Sequence, residues 1–80
     1  MFTLTSQRFT VDMYGNDLVD AYALPYTSEQ TAKRAFNNEI ARLSSMMQDD
    51  TRMMCALLHR ANDDGTRTCV GRWYVYGQNA

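Results

Sequence analysis

Eighty residues with eight basic and nine acidic side chains, a net charge of −1, describe one domain rather than two. Balanced charge excludes phosphate neutralisation over a broad surface, so any nucleic-acid contact has to be local. The longest apolar run, Met53 to Leu58, is about a third of the ~20 residues that cross a bilayer, and two cysteines are too few for a disulfide scaffold.

The first segment, from Phe2 to Tyr14, sets Phe9, Val11 and Met13 in alternation with Thr10, Asp12 and Tyr14. That is the period of a strand with one buried face. Gly15-Asn16-Asp17 tolerates positive φ and predicts a hairpin turn. A short strand follows over residues 18–24, with edge character, and Pro25 is expected to end it. Thr27-Ser28-Glu29-Gln30 then reads as a helix start, with Thr27 at the N-cap and Gln30 reaching back. The helix is expected over residues 28–47. Ala32, Phe36, Ile40, Leu43 and Met47 recur at helical spacing and form one core stripe, while Lys33, Arg34, Asn37, Asn38 and Arg42 occupy the opposite arc.

Residues 51–60 and 66–76 read as two further strands joined through Asn62-Asp63-Asp64-Gly65. Asp-Gly between two β-prone runs signals a hairpin with a two-residue loop, in which Asp63 pairs with Thr66. Strand parity then puts Met54, Ala56, Leu58, Cys69, Gly71, Trp73 and Val75 on the face that meets the helix, with Arg60 as its polar member. Met53, Cys55, Leu57, His59, Val70, Arg72, Tyr74 and Tyr76 share the other face. The expected architecture is α+β: a single small domain with about four antiparallel strands, in ββαββ order, packed on one central helix.

Chemistry has little to work with. The same parity places Cys55 and Cys69 on opposite faces, and even a one-residue register change leaves them ~13 Å apart along the strands, too far for a disulfide. Cys55 and His59 are separated by a similar distance, so no zinc set forms and no metal or cofactor is expected. His59 is the single histidine, and no nucleophile or carboxylate is placed by motif to make it a base. No glycine-rich phosphate loop is present. An enzyme is not expected. Met1 to Arg8 lacks the charged, apolar and small-residue regions of a signal peptide, so the expected setting is the cytoplasm.

What remains is binding. Arg72, Tyr74 and Tyr76 belong to the face turned away from the helix, where tyrosine, arginine and methionine are typical of protein interfaces. The same residues could stack on unpaired bases, which makes single-stranded nucleic acid the alternative partner. Net charge favours protein. Asp63 and Asp64, read first as turn residues, are secondary candidates for meeting a basic groove. A chain this short buries only roughly 60–65 % of its unfolded surface, which leaves room for a dimer or partner to stabilise it.

Val19-Asp20-Ala21, then Ser28-Glu29-Gln30-Thr31-Ala32-Lys33-Arg34-Ala35, then Leu57-Leu58-His59-Arg60 and Asn62-Asp63-Asp64-Gly65 are similar in layout to small phage-encoded accessory proteins of the anti-CRISPR type. That resemblance spans most of the chain. It implies an inhibitor acting in the host cytoplasm, without a cofactor, that blocks a larger protein or nucleoprotein complex such as a CRISPR effector. Anti-CRISPR proteins share no catalytic residues, so none is carried over. The Pro-containing turn, Ala32-Lys33-Arg34-Ala35-Phe36 and the acidic turn before Gly65 also resemble the small nonstructural protein of microvirus phages, which would imply a role around single-stranded DNA.

Overall fold

The computed structural model describes residues 1–77. β1 (Phe2–Val11) and β2 (Asp17–Tyr26) form one hairpin, α1 (Glu29–Ser45) crosses over, and β3 (Thr51–Ala61) and β4 (Arg67–Tyr76) form the second. The sheet runs β2-β1-β3-β4, entirely antiparallel, with the helix packed on one face. The expected ββαββ architecture is therefore the observed one.

Both hairpins close on the same chemistry. Asp12 N–H donates to the Asn16 carbonyl at 2.9 Å and Asn62 N–H to the Thr66 carbonyl at 2.8 Å. Gly15 and Gly65 take φ of +83° and +86°, a left-handed conformation that glycine adopts without a Cβ penalty. Each loop thus has three residues ending in a left-handed glycine. The first strand accordingly stops at Val11 rather than Tyr14, and Met13 and Tyr14 stand exposed in the turn. In the second hairpin the three-residue loop shifts the pairing beside it by one, so that His59 faces Cys69. An irregularity at Val70 restores the register, and from Leu58↔Gly71 to Met53↔Tyr76 the pairs are those a two-residue loop predicts.

That bulge corrects two face assignments. Cys69 lies on the face away from the helix, not towards it, while Val70 packs into the core. Cys55 and Cys69 consequently share a face. They remain free because Cys55 pairs with Tyr74 and Cys69 with His59, ~13 Å further along the strand.

The β1 reading is also reversed. Phe2, Leu4, Ser6 and Thr10 are buried towards the helix, whereas Phe9 and Val11 belong to the opposite face. Pro25 does not end β2, which continues to Tyr26. The edge position explains this: the alternation set by the turn directs the backbone groups of odd-numbered β2 residues away from β1, where a missing N–H breaks no bond. The helix N-cap is Ser28, not Thr27, with its hydroxyl accepting from Thr31 N–H at 3.4 Å.

The core has two parts. Phe2, Leu4, Ala32 and Leu58 pack with Tyr26, Ala35 and Val70, and Leu43, Met54 and Ala56 pack with Ile40, Met47, Trp73 and Val75. Phe36 joins them. Full burial of Leu43, Met54 and Leu58 contributes about 1.5–3 kcal/mol each. Gly71 lies close beneath Phe36: a Cβ there would sit 3.1 Å from the ring and 3.3 Å from the Leu58 Cβ, so the ring would have to shift by a few tenths of an ångström to admit one. Arg8 fastens the helix C-terminus to the sheet, donating from Nη2 to the Met46 carbonyl at 3.4 Å and lying 3.5 Å from Asp50.

One buried member of the helix stripe is not apolar. Glu39 lies against the sheet with its side chain 6 % exposed, held by Arg42 Nε at 2.7 Å and Nη2 at 2.8 Å. The Tyr22 hydroxyl also donates to it. The Arg42 guanidinium, with help from Ser6 and Tyr22, holds the Glu39 carboxyl down at about 2 against burial. Burial and the neighbouring carboxylate raise the Tyr22 hydroxyl. A carboxylate this firmly ionised is a weak proton acceptor at neutral pH. Its structural effect is to pin the middle of α1 to the edge strand.

Candidate binding face

The helix covers one side of the sheet, and among the described residues no element packs on the other. The register orders this open face into rows running across all four strands. Val19, Phe9, Met53 and Tyr76 form the first row, and Ala21, Gln7, Cys55 and Tyr74 the second. Ala23, Thr5, Leu57 and Arg72 form the third, and Pro25, Thr3, His59 and Cys69 the fourth. The face is apolar at the end of the first row and polar at the fourth.

Arg72, Tyr74 and Tyr76 are brought together as expected, on alternate positions of β4 facing the same way. Tyr74 and Tyr76 are 45 % and 66 % exposed. Asp63 and Asp64 are not part of this group. They lie in the β3–β4 loop, ~30 Å from Tyr76 at ~3.4 Å per residue. Asp64 is also committed to its turn: its Oδ1 accepts from the Thr66 hydroxyl at 2.6 Å and the Thr66 N–H at 3.0 Å, which lowers its pKa.

The sequence reading missed Phe9, Val11 and Val19 as members of this face, because they were assigned by periodicity within single strands. Cross-strand register was the missing information. Cys55 is 2 % exposed even on the open side and donates its thiol to Gln7 Oε1 at 3.3 Å. Burial raises that thiol, so it behaves as a small core group rather than a reactive one. His59 and Cys69 are direct cross-strand neighbours, but two ligands are half of a zinc set. No group of three or more metal-binding side chains occurs among the described residues.

Charge is distributed unevenly between the two sides. Arg67 and Arg72 lie on the open face, and Asp17 at its end is paired with Arg52 at 3.1 Å. The remaining carboxylates lie in the turns, the helix and the helix-side strand positions. No helix among the described residues is long and apolar enough to cross a membrane. No protein-family model, curated protein or solved structure matches this chain.

Proposed function

We propose that the chain is a non-catalytic binding protein that acts by laying its open sheet face against a larger protein. The observation that carries this reading is β3, a central strand that is apolar on both sides. Met54, Ala56 and Leu58 face the helix, and Met53, Cys55 and Leu57 face outward. Antiparallel strands with one solvated face alternate apolar and polar, whereas runs apolar on both faces belong to strands covered on both. Tyrosine, methionine and arginine on the uncovered side suit a protein interface. The layout shared with phage-encoded inhibitors supports a host nucleoprotein complex, such as a CRISPR effector, as the target whose working surface is blocked.

The test is capture from host lysate by the tagged chain and by a Tyr74→Ala/Tyr76→Ala variant. Loss of the captured partner, with an unchanged circular dichroism spectrum, is expected. Equal capture by both would remove the open face as the binding surface.

A second reading rests on β4 alone. Arg67, Arg72, Tyr74 and Tyr76 follow one another along its outward side, a basic and aromatic track of the kind on which unpaired bases stack. Binding to a labelled single-stranded oligonucleotide that weakens steeply with salt would favour it. No binding at low salt would remove it.

A further inference from the structure

The open face is not the only unpartnered surface. β2 is an edge strand of ten residues in which Leu18, Val19, Tyr22 and Leu24 are 51 %, 60 %, 38 % and 43 % exposed. The other edge, β4, is interrupted by the irregularity at Val70 and carries Arg67 and Arg72, both devices that discourage pairing. β2 has no such irregularity in its pairing with β1. The phase of the ladder is known: Asp12 N–H bonds to Asn16 O, so even-numbered β2 residues bond to β1 and odd-numbered ones point their N–H and C=O outward. The N–H groups of Val19, Ala21 and Ala23 therefore line the free edge.

We infer that β2 pairs antiparallel with β2 of a second copy of this chain, centred on Ala21, to make one continuous eight-stranded sheet. The strand is self-complementary in this register. On the helix side Leu18 meets the second copy's Leu24, and on the open side Val19 meets its Ala23 and Ala21 its counterpart. The pairing is isologous, each contact occurring twice, and joins the copies through about eight backbone hydrogen bonds. Asp20 of one copy falls opposite Tyr22 of the other, whose hydroxyl donates to Glu39 and whose ring lies under the Glu39-paired Arg42 guanidinium at 5.8 Å, so this register sets no two like charges directly against each other.

The residues that would block an edge select this register instead. Centring one residue earlier sets Asp20 against Asp20, a like-charge pair. Centring one residue later sets Val19 against Pro25, which has no N–H to give, and leaves Leu24 opposite Asp20. In the Ala21-centred pairing Pro25 falls at each end, opposite Asp17. The helix lies mainly over β1 and β3 and reaches β2 through the contacts of Glu39 and Arg42 with Tyr22.

The experiment uses the purified chain alone and is independent of any target. Sedimentation equilibrium should show a dimer, and amide exchange should protect Val19, Ala21 and Ala23 alongside the β1-bonded Leu18, Asp20, Tyr22 and Leu24. Ala21→Pro removes an outward N–H that carries no bond within the monomer, as Pro25 already does, and should weaken the dimer roughly a hundredfold. Tyr74→Ala/Tyr76→Ala should leave it intact. A monomer at high concentration, or rapid exchange confined to the odd-numbered β2 amides, would overturn the inference. So would a dimer that survives Ala21→Pro and is lost on substitution of the tyrosines, since that places the contact on the open face.

Discussion

Replacing Glu39 with Gln should separate the contribution of one buried charge from the rest of the fold. The Arg42 guanidinium and its hydrogen-bonding neighbours hold the Glu39 carboxyl at about 2 against an ordinary 4.5. At ~1.4 kcal/mol per pH unit that difference corresponds to about 3 kcal/mol. Arg42 is 47 % exposed, so solvent screening reduces the expected value to about 2 kcal/mol. Because the folded-state pKa is depressed, this stabilisation is fully present above pH 4.5 and is lost as pH falls towards 2.

Urea unfolding followed by Trp73 fluorescence, at one fixed protein concentration, measures the effect for wild type and Glu39→Gln at intervals from pH 7 to pH 2. The variant should be less stable by about 2 kcal/mol at pH 7, and the two curves should converge below pH 4.5. Asp12 and Asp64 also have lowered pKa values, but they are common to both chains and cancel in the difference. A constant gap between the curves across that range would refute the electrostatic account and assign the loss to packing. Equal stability throughout would remove Glu39 as a pin for α1.

Further substitutions test the packing and the turns. Gly71→Ala should destabilise by about 1–2 kcal/mol in urea unfolding, since its Cβ would press on the Phe36 ring and Leu58 at 3.1 and 3.3 Å. Leu58→Ala, at a site 1 % exposed, should cost about 2–5 kcal/mol by the same measurement. Gly65→Ala meets nothing within 4 Å but has φ of +86°, so a loss of about 1 kcal/mol is expected from backbone conformation alone. Tyr22→Phe should lower stability by about 1 kcal/mol and lose most of that effect in the Glu39→Gln background, because the hydroxyl's bond is to Glu39.

Much of the fold was legible because it is written in local periods. The helical repeat of Ala32, Phe36, Ile40 and Leu43 and the glycines at 15 and 65 identify the helix and both hairpins, and parity along β3 places Met54, Ala56 and Leu58 in the core. Arg72, Tyr74 and Tyr76 could be grouped for the same reason: side chains two apart on a strand share a face. Asp63 and Asp64 could be set apart from that group by the same reasoning, since they precede β4 and the tyrosines end it, about ten residues further along an extended strand.

Other features are properties of contacts between segments far apart in the chain. The bulge at Val70 exchanges the faces of Cys69 and Val70, and nothing local in that sequence distinguishes a bulged strand from a straight one. Phe9 and Val11 look like core residues until β1 is paired on both sides and its even-numbered positions meet the helix. Pro25 looks like a terminator until β2 becomes an edge with no donor required there. Glu39 has a helical spacing that fits the buried stripe, but a carboxylate is buried only where partners meet it. The approach of Ser6 from β1 and Tyr22 from β2, with Arg42 one turn along the helix, supplies the partners that make its burial stable. Sequence thus determined the elements and the inward side of β3 and of β4 from Gly71 onward, through interactions within a few residues. Tertiary structure decided the strand order, the open face and the free β2 edge, because each depends on which elements meet.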